Sequence, residues 1–249
     1  MSFKERLLGI RRRRASMKVQ IEPGNVIMEK VLMGEKLKFS DRVKAIFRED
    51  WEHIVVVSLV GVTHTYRGIS NAVKRMWCPE GEFEILDFTN GFFGVLFPSA
   101  EEEDKALNGG PWFVGPQCLS VQRWIPVFRG STATVNTVVT WIRLPNLPVE
   151  YYHEIALFSI GNFVSRTLKI DEKTLNADRG KFVRVAVELN LNEPLTPSFQ
   201  IEDRWQVVDY EGLPVICYNC GCVGHGSILC TSESRNQPET EAQAGKTDE

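Results

Sequence analysis

Residues 54–61 read IVVVSLVG, and residues 90–97 read NGFFGVLF. The first run predicts a buried strand because β-branched side chains favour the pleated surface of a sheet. Asn90-Gly91 predicts a tight hairpin turn, and the apolar run behind it predicts the strand that leaves this turn. Between the two runs, Thr63–Trp77 places its apolar residues on one face of a helix. Together these segments predict a strand, a helix and a hairpin, in that order.

The flanking sequence completes this pattern. Phe83–Phe88 alternates apolar and acidic residues, which predicts the first strand of the hairpin. Ser99 and Glu102 have the spacing of a capping box and predict the start of a second helix. Trp112–Trp124 predicts a last strand. The order β-α-β-β-α-β is that of a split, ferredoxin-like or RRM-like α+β sandwich, which we predict for residues 35–128 and call the first unit.

A second, smaller α+β unit is predicted for residues 135–212. Val138–Leu144 reads as a strand, and Val183–Leu189 alternates apolar and other residues as a half-buried strand does. Tyr152–Phe163 carries an apolar stripe with helical spacing. Phe199–Tyr210 is expected to complete an antiparallel sheet.

The cysteines point to a metal site. Cys217, Cys220, His225 and Cys230 follow the spacing C-x2-C-x4-H-x4-C within the predicted zinc knuckle at residues 213–231. Three thiolates and one imidazole are a donor set that zinc prefers in a tetrahedron, so we predict one zinc ion. So short a wrap has almost no core, and the metal is expected to supply its folding energy. Cys222 is a surplus thiol that we expect to be free. We call residues 217–230 the Cys/His segment.

The two ends of the chain differ in charge. Residues 1–34 are predicted to form a mobile basic arm, which contains Arg11, Arg12, Arg13 and Arg14, and residues 232–249 to form a disordered acidic tail. The arginine run is interpreted as a phosphate-binding arm, a nuclear-import signal or a solvated linker, and the sequence leaves these three open. The formal net charge of −3 is unfavourable for a nucleic-acid binder, so the segregation of charge is essential to that hypothesis.

Several classes of protein are not supported. No apolar run is long enough to span a bilayer, and Leu7–Ile10 is too short for a secretory signal, so a nuclear or cytoplasmic protein without membrane contact is expected. Catalytic signatures such as a P-loop, a nucleophile elbow or an HExxH motif do not occur, and we expect no enzymatic activity. A nuclease or transferase with an unfamiliar site stays as a third hypothesis.

The Cys/His segment resembles the CCHC zinc knuckles of retroviral nucleocapsids and of Gag-like retroelement proteins. Those proteins bind single-stranded RNA or DNA, and the resemblance implies that Tyr218 stacks on a base. This segment departs from them at Cys222, where Lys is usual, at Ile228, where a basic residue is common, and at Ser227, which replaces a larger apolar residue. The predicted nucleic-acid contacts are Tyr218, Ile228, Arg11, Arg12, Arg13 and Arg14.

A wider resemblance covers about residues 35–230. It is to the plant family called domain of unknown function 4283, followed by a zinc knuckle, which occurs in LINE-type retroelements and as stand-alone derivatives. The motifs that carry it are Gly109–Trp112, Val121–Pro126, Trp141–Pro148, Ile170-Asp171 and Tyr210–Pro214. It implies a retroelement-derived, Gag-like protein that binds nucleic acid. The alternative is a scaffold for protein partners or self-association, with the knuckle as a structural clip or a cap on the preceding unit.

The sheet of the first unit is a second candidate surface for RNA. Phe92 and Phe97 fit part of the third-strand signature of RNA-recognition motifs, but Gly94 stands where a second exposed ring is expected. Val55 likewise replaces an aromatic residue in the first strand. We therefore favour the interpretation that these phenylalanines are core residues and that the second unit covers the sheet.

Overall fold

A computed structural model describes residues 22, 24–49, 51, 53–81, 83–175 and 182–231. Arg11–Arg14 and the acidic tail at 232–249 lie outside these described residues. Within the described ranges, helices and antiparallel strands alternate, which confirms the predicted mixed α+β class with antiparallel sheets. None of the described helices combines the length and the apolar character needed to cross a membrane.

The N-terminal elements include a hairpin that the sequence did not predict. β1 (Val26–Val31) pairs antiparallel with β2 (Gly34–Phe39), although the basic arm was expected to extend to residue 34. The strands carry many charged side chains and little apolar alternation, so their pattern gave no strand signal. α1 (Asp41–Glu49) follows, with the Ser40 hydroxyl accepting from the Val43 amide at 3.4 Å.

The first unit is one five-stranded sheet with two helices. Its elements are β3 (Ile54–Leu59), α2 (Tyr66–Trp77), β4 (Glu84–Asp87), β5 (Phe92–Leu96), α3 (Ala100–Asn108), β6 (Trp112–Val114) and β7 (Gln117–Arg123). The strands lie in the order β4-β5-β3-β7-β6, and all neighbours are antiparallel. The predicted single strand Trp112–Trp124 is divided because Gly115 has a φ of 62° and turns the chain between β6 and β7.

Both faces of this sheet are covered. Val55, Val57 and Phe93 lie in the core between the sheet and its helices. On the opposite face, Phe92 is 3% exposed, and its ring centroid lies 5.6 Å from that of Phe128 in the loop after β7. A Cβ at Gly94 would lie 2.6 Å from the ring of Phe88, so this strand has no room for a second side chain there. The sheet of the first unit therefore offers no open aromatic platform at these positions.

The second unit has its own sheet. Its elements are β8 (Thr137–Pro145), a 3-10 turn (Val149–Tyr151), α4 (Glu154–Val164), β9 (Arg166–Ile170), α5 (Glu172–Leu175), β10 (Phe182–Asn190), β11 (Ser198–Ile201), β12 (Arg204–Val207) and β13 (Asp209–Tyr210). β13, β8, β10 and β9 form a four-stranded antiparallel sheet, and β11 and β12 form a separate hairpin. The core contains Ile142 and Val185 from one face of the four-stranded sheet and Leu157 from α4.

The two units share contacts along β7 and β8. Cys118, on β7, is fully buried in the core of the second unit, and its thiol donates to the Val139 carbonyl oxygen at 3.2 Å. The Ser120 hydroxyl donates to the Thr137 carbonyl oxygen at 3.0 Å. Residues 211–214 pass along the same seam, since the Cys118 amide donates to the Gly212 carbonyl oxygen at 2.8 Å. This segment leads directly into the Cys/His segment.

Candidate metal centre and nucleic-acid interface

The Cys/His segment is shaped by a short run of backbone hydrogen bonds. The Cys217 amide donates to the Cys222 carbonyl oxygen at 2.9 Å, and the Gly221 amide donates to the Cys217 carbonyl oxygen at 2.7 Å. These bonds close a tight turn in which Gly221 has a φ of 80°. Gly224 has a φ of 108° and reverses the chain again toward His225. Both positions need glycine, because a side chain rarely adopts these angles.

This turn and the 3-10 turn Ser227–Leu229 bring four side chains together. The thiols of Cys217, Cys220 and Cys230 and one imidazole nitrogen of His225 all lie within 4.8 Å of one another. The Cys220 Sγ and the His225 Nε2 are 3.4 Å apart. A tetrahedral ion with zinc–sulfur bonds of about 2.3 Å holds its sulfur ligands about 3.8 Å apart. The predicted four residues are therefore close enough to hold one metal ion, and their donor types fit zinc.

The environment favours a thiolate at Cys217. Burial opposes ionisation of this thiol, but the backbone amides of Cys220 and Asn219 donate to its sulfur and lower its pKa to about 6. The Cys222 amide also donates to the Cys220 Sγ, at 3.4 Å, but burial and the neighbouring thiols of Cys217 and Cys222 outweigh this bond and raise the pKa of Cys220. Amide donors of this kind stabilise negative sulfur, which is the form that binds metals. Cys222 itself is exposed and stands outside the cluster.

The Cys/His segment is packed against the second unit. The Gly221 carbonyl oxygen accepts from the Leu195 amide at 2.8 Å, and a Cβ on Gly221 would lie 2.1 Å from the Leu195 carbonyl oxygen. Cys217 is fully buried, and Ile216 and Val223 pack against the core of the second unit. A single antiparallel bridge joins these last two residues. The four candidate metal ligands are thus fixed to the second unit.

The two contact residues predicted within this segment lie at its surface. Tyr218 is 39% exposed, and Ile228 is 99% exposed. Burial and the neighbouring Asp209 carboxylate, to which the phenol hydrogen-bonds, raise the pKa of Tyr218. Leu229, beside Ile228, is 75% exposed. The segment therefore presents apolar surface next to a carboxylate, and it has no cation of its own.

Glu211 bridges two arginines, a role that the sequence did not predict, although Glu211 lies within the motif Tyr210–Pro214. Its carboxylate is 14% exposed and accepts from Arg143 Nε at 2.6 Å. Arg184 donates to it through Nε and Nη2, at 2.8 and 2.6 Å. The spacing of 68 residues between Arg143 and Glu211 means that only the folded sheet brings them together.

No curated protein sequence matches the chain. Among solved structures, the chain is similar to one described as the RNA binding domain of Hrp1 in complex with RNA, with 10% identity and a TM-score of 0.26. The alignment covers 64% of this chain and 96% of that one. A likeness at this TM-score decides neither fold nor function. The family model described as Domain of unknown function (DUF4283) matches residues 48–131, which confirms that the first unit contains a DUF4283 domain.

Proposed function

We propose that this protein binds single-stranded RNA or DNA and that one zinc ion, held by Cys217, Cys220, His225 and Cys230, is required for that binding. The observation that carries the proposal is the convergence of these four donors within 4.8 Å, with Tyr218 partly exposed on the turn between the first two. When bound, zinc would act structurally, by fixing this turn.

The role of Tyr218 would be to stack on a base. An aromatic ring on a rigid turn can stack on any base, and such a contact contributes about 1–3 kcal/mol. Ile228, in the same segment, would add apolar contact through its 99% exposed side chain. Because the segment lacks a cation of its own, phosphate contacts must come from elsewhere in the protein. The arm with Arg11–Arg14 is one candidate for that role.

The same proposal includes a binding function without catalysis and an origin in a LINE-type retroelement of a plant. The origin is supported by the motif resemblance, and the match of residues 48–131 to the DUF4283 model is consistent with it. The RRM-like character of the first unit is likewise an interpretation. It is supported by the order β3-α2-β4-β5-α3-β7, but its buried Phe92 argues against base stacking on that sheet.

A second function is favoured by one observation. The Cys/His segment packs on Leu195, which favours a metal that acts only as a structural clip, with the second unit as a scaffold for protein partners. In that case loss of the metal would destabilise the protein, but Tyr218 would have no effect on nucleic-acid binding.

Fluorescence anisotropy with a labelled single-stranded oligouridylate separates these functions. Cys220→Ser and Tyr218→Ala should both weaken binding by zinc-loaded protein. Their matched controls, Cys78→Ser at an exposed thiol outside the cluster and Phe47→Ala at an exposed ring in α1, should bind as the wild type does. Wild-type protein that fails to bind at low salt would refute the nucleic-acid function and favour the scaffold.

A further inference from the structure

One face of the second-unit sheet carries cations over aromatic rings. The Arg143 guanidinium carbon lies 4.8 Å from the ring centroid of Phe182, and that of Arg184 lies 4.7 Å from the ring of Trp141. The Lys169 ammonium lies 5.8 Å from the same Trp141 ring. We call Trp141, Arg143, Lys169, Phe182 and Arg184 the cationic face.

The strand register explains why these residues share a face. Arg143 is directly opposite Arg184, and directly opposed residues of antiparallel strands project to the same side. Trp141 is opposite Ala186, which in turn is opposite Lys169 on β9. The other face of the same strands is occupied by the core. The cationic face is therefore the outer face of the sheet. At its β9 edge the Lys169 ammonium also donates to the Gly109 carbonyl oxygen of the first unit, at 3.1 Å.

Two opposed arginines normally destabilise a strand pair. Here Glu211 compensates by binding both guanidinium groups. Arg143 uses only its Nε for this contact, and its side chain is 44% exposed. Its two terminal nitrogens have no hydrogen-bond partner among the described residues. They are thus held in place by Glu211 and Phe182 while still able to donate to a phosphate.

The cationic face continues toward Tyr218. Asp209 of β13 is directly opposite Arg143, so its side chain projects to the same side of the sheet. Asp209 is also the carboxylate beside the Tyr218 phenol. A strand of nucleic acid stacked on Tyr218 would therefore reach Arg143 next. From β13 to β9 the sheet is about 14 Å wide, given a strand spacing of about 4.8 Å.

We infer that the cationic face binds the phosphates of the nucleic-acid strand whose base stacks on Tyr218, and this inference rests on the proposed function. Arg143 and Lys169 are the phosphate contacts. On this outer face four cations outnumber three carboxylates, so the face is basic in a chain whose formal net charge is −3; the cations are Arg143, Arg166, Lys169 and Arg184, and the carboxylates are Glu188, Asp209 and Glu211. The partner that fits is a flexible polyanion with flat bases, which is a single-stranded nucleic acid.

The test is the salt dependence of oligouridylate binding by zinc-loaded full-length protein. Arg143→Gln and Lys169→Gln should each reduce the slope of log affinity against log salt by about 0.7, the value for one lost phosphate contact on a single strand. Arg67→Gln is the matched control, since it removes the same charge from an exposed position on α2 of the first unit. It should leave the slope unchanged. Thermal melting of each variant verifies that the fold is retained.

Cross-linking of wild-type protein to a 4-thiouridine oligonucleotide makes the test independent of any substitution. Cross-linked peptides from β8, β9 or β10, together with one from the Cys/His segment, are expected. Wild-type slopes in both glutamine variants, or cross-links confined to the Cys/His segment, would overturn the inference while leaving the proposed function intact. Equally strong competition by polyglutamate of the same charge would also overturn it. Absence of any wild-type binding would refute both.

Discussion

The Glu211 carboxylate binds Arg184 through two hydrogen bonds, from Nε at 2.8 Å and from Nη2 at 2.6 Å. The backbone of the same residue is also held, because its amide donates to the Trp141 carbonyl oxygen at 2.9 Å and its carbonyl oxygen accepts from the Thr140 hydroxyl at 2.6 Å. Glu211 therefore joins the outer face of the second-unit sheet to the segment that leads to the metal cluster. Its substitution should affect both.

Glu211→Gln is expected to lower the free energy of unfolding by about 2 kcal/mol, because hydrogen bonds to charged groups contribute about 1.5–3 kcal/mol and two opposed arginines are left uncompensated. Urea denaturation of zinc-loaded protein measures this loss. Glu188→Gln is the control, because Glu188 pairs with Arg166, whose side chain is 75% exposed. That exposed pair should contribute less than about 1 kcal/mol. Equal losses in both variants would argue against a special role for Glu211.

Thiol alkylation followed by mass spectrometry should report metal binding residue by residue. In zinc-loaded native protein, iodoacetamide should modify Cys78 and Cys222, which are exposed. A chelator should add Cys217, Cys220 and Cys230, because the short segment depends on the ion for its fold and should open without it, which exposes even the buried Cys217. Cys118 should react only after denaturation, since it is fully buried. Modification of all three ligand cysteines before chelation would contradict the metal site.

Gly221→Ala should weaken the attachment of the Cys/His segment to the second unit. Its φ is 80°, and the added Cβ would lie 2.1 Å from the Leu195 carbonyl oxygen. Gly224→Ala is a matched control, since Gly224 also has a positive φ but has nothing within 4 Å of the added Cβ. Both variants should incur backbone strain of about 1–2 kcal/mol, and only the first should also lose the hydrogen bond to Leu195. Faster hydrogen exchange at the Leu195 amide in Gly221→Ala alone is the expected result.

Burial raises the pKa of the Cys118 thiol from 9.0 to about 12. The unfolded chain therefore loses this proton near pH 9, while the folded protein keeps it. Stability should fall with increasing pH above 9, by at most about 1.4 kcal/mol per pH unit from this thiol. Cys118→Ala removes the titrating group, so its unfolding free energy should change less steeply between about pH 9 and pH 10. Parallel pH profiles for the variant and the wild type would contradict this effect.

Local patterns predicted much of the first unit. Ser99 accepts from the Glu102 amide at 3.3 Å as the capping signal indicated, and the turn at Asn90-Gly91 connects β4 to β5. The sequence did not predict the β1–β2 hairpin, because charged residues replace the apolar alternation that marks a half-buried strand. It also did not locate Lys169, whose role depends on its position opposite Ala186 on the neighbouring strand.

The sequence by itself identified the cluster of four candidate metal ligands, because four donors within fourteen residues can meet through two glycine turns. Only the tertiary structure decided where that cluster sits and what lies beside it. The attachment of Gly221 to Leu195, the bridge from Glu211 to Arg143 and the position of Asp209 beside both Arg143 and Tyr218 all join different segments of the chain. Strand pairing and packing set these distances, and no local spacing records them.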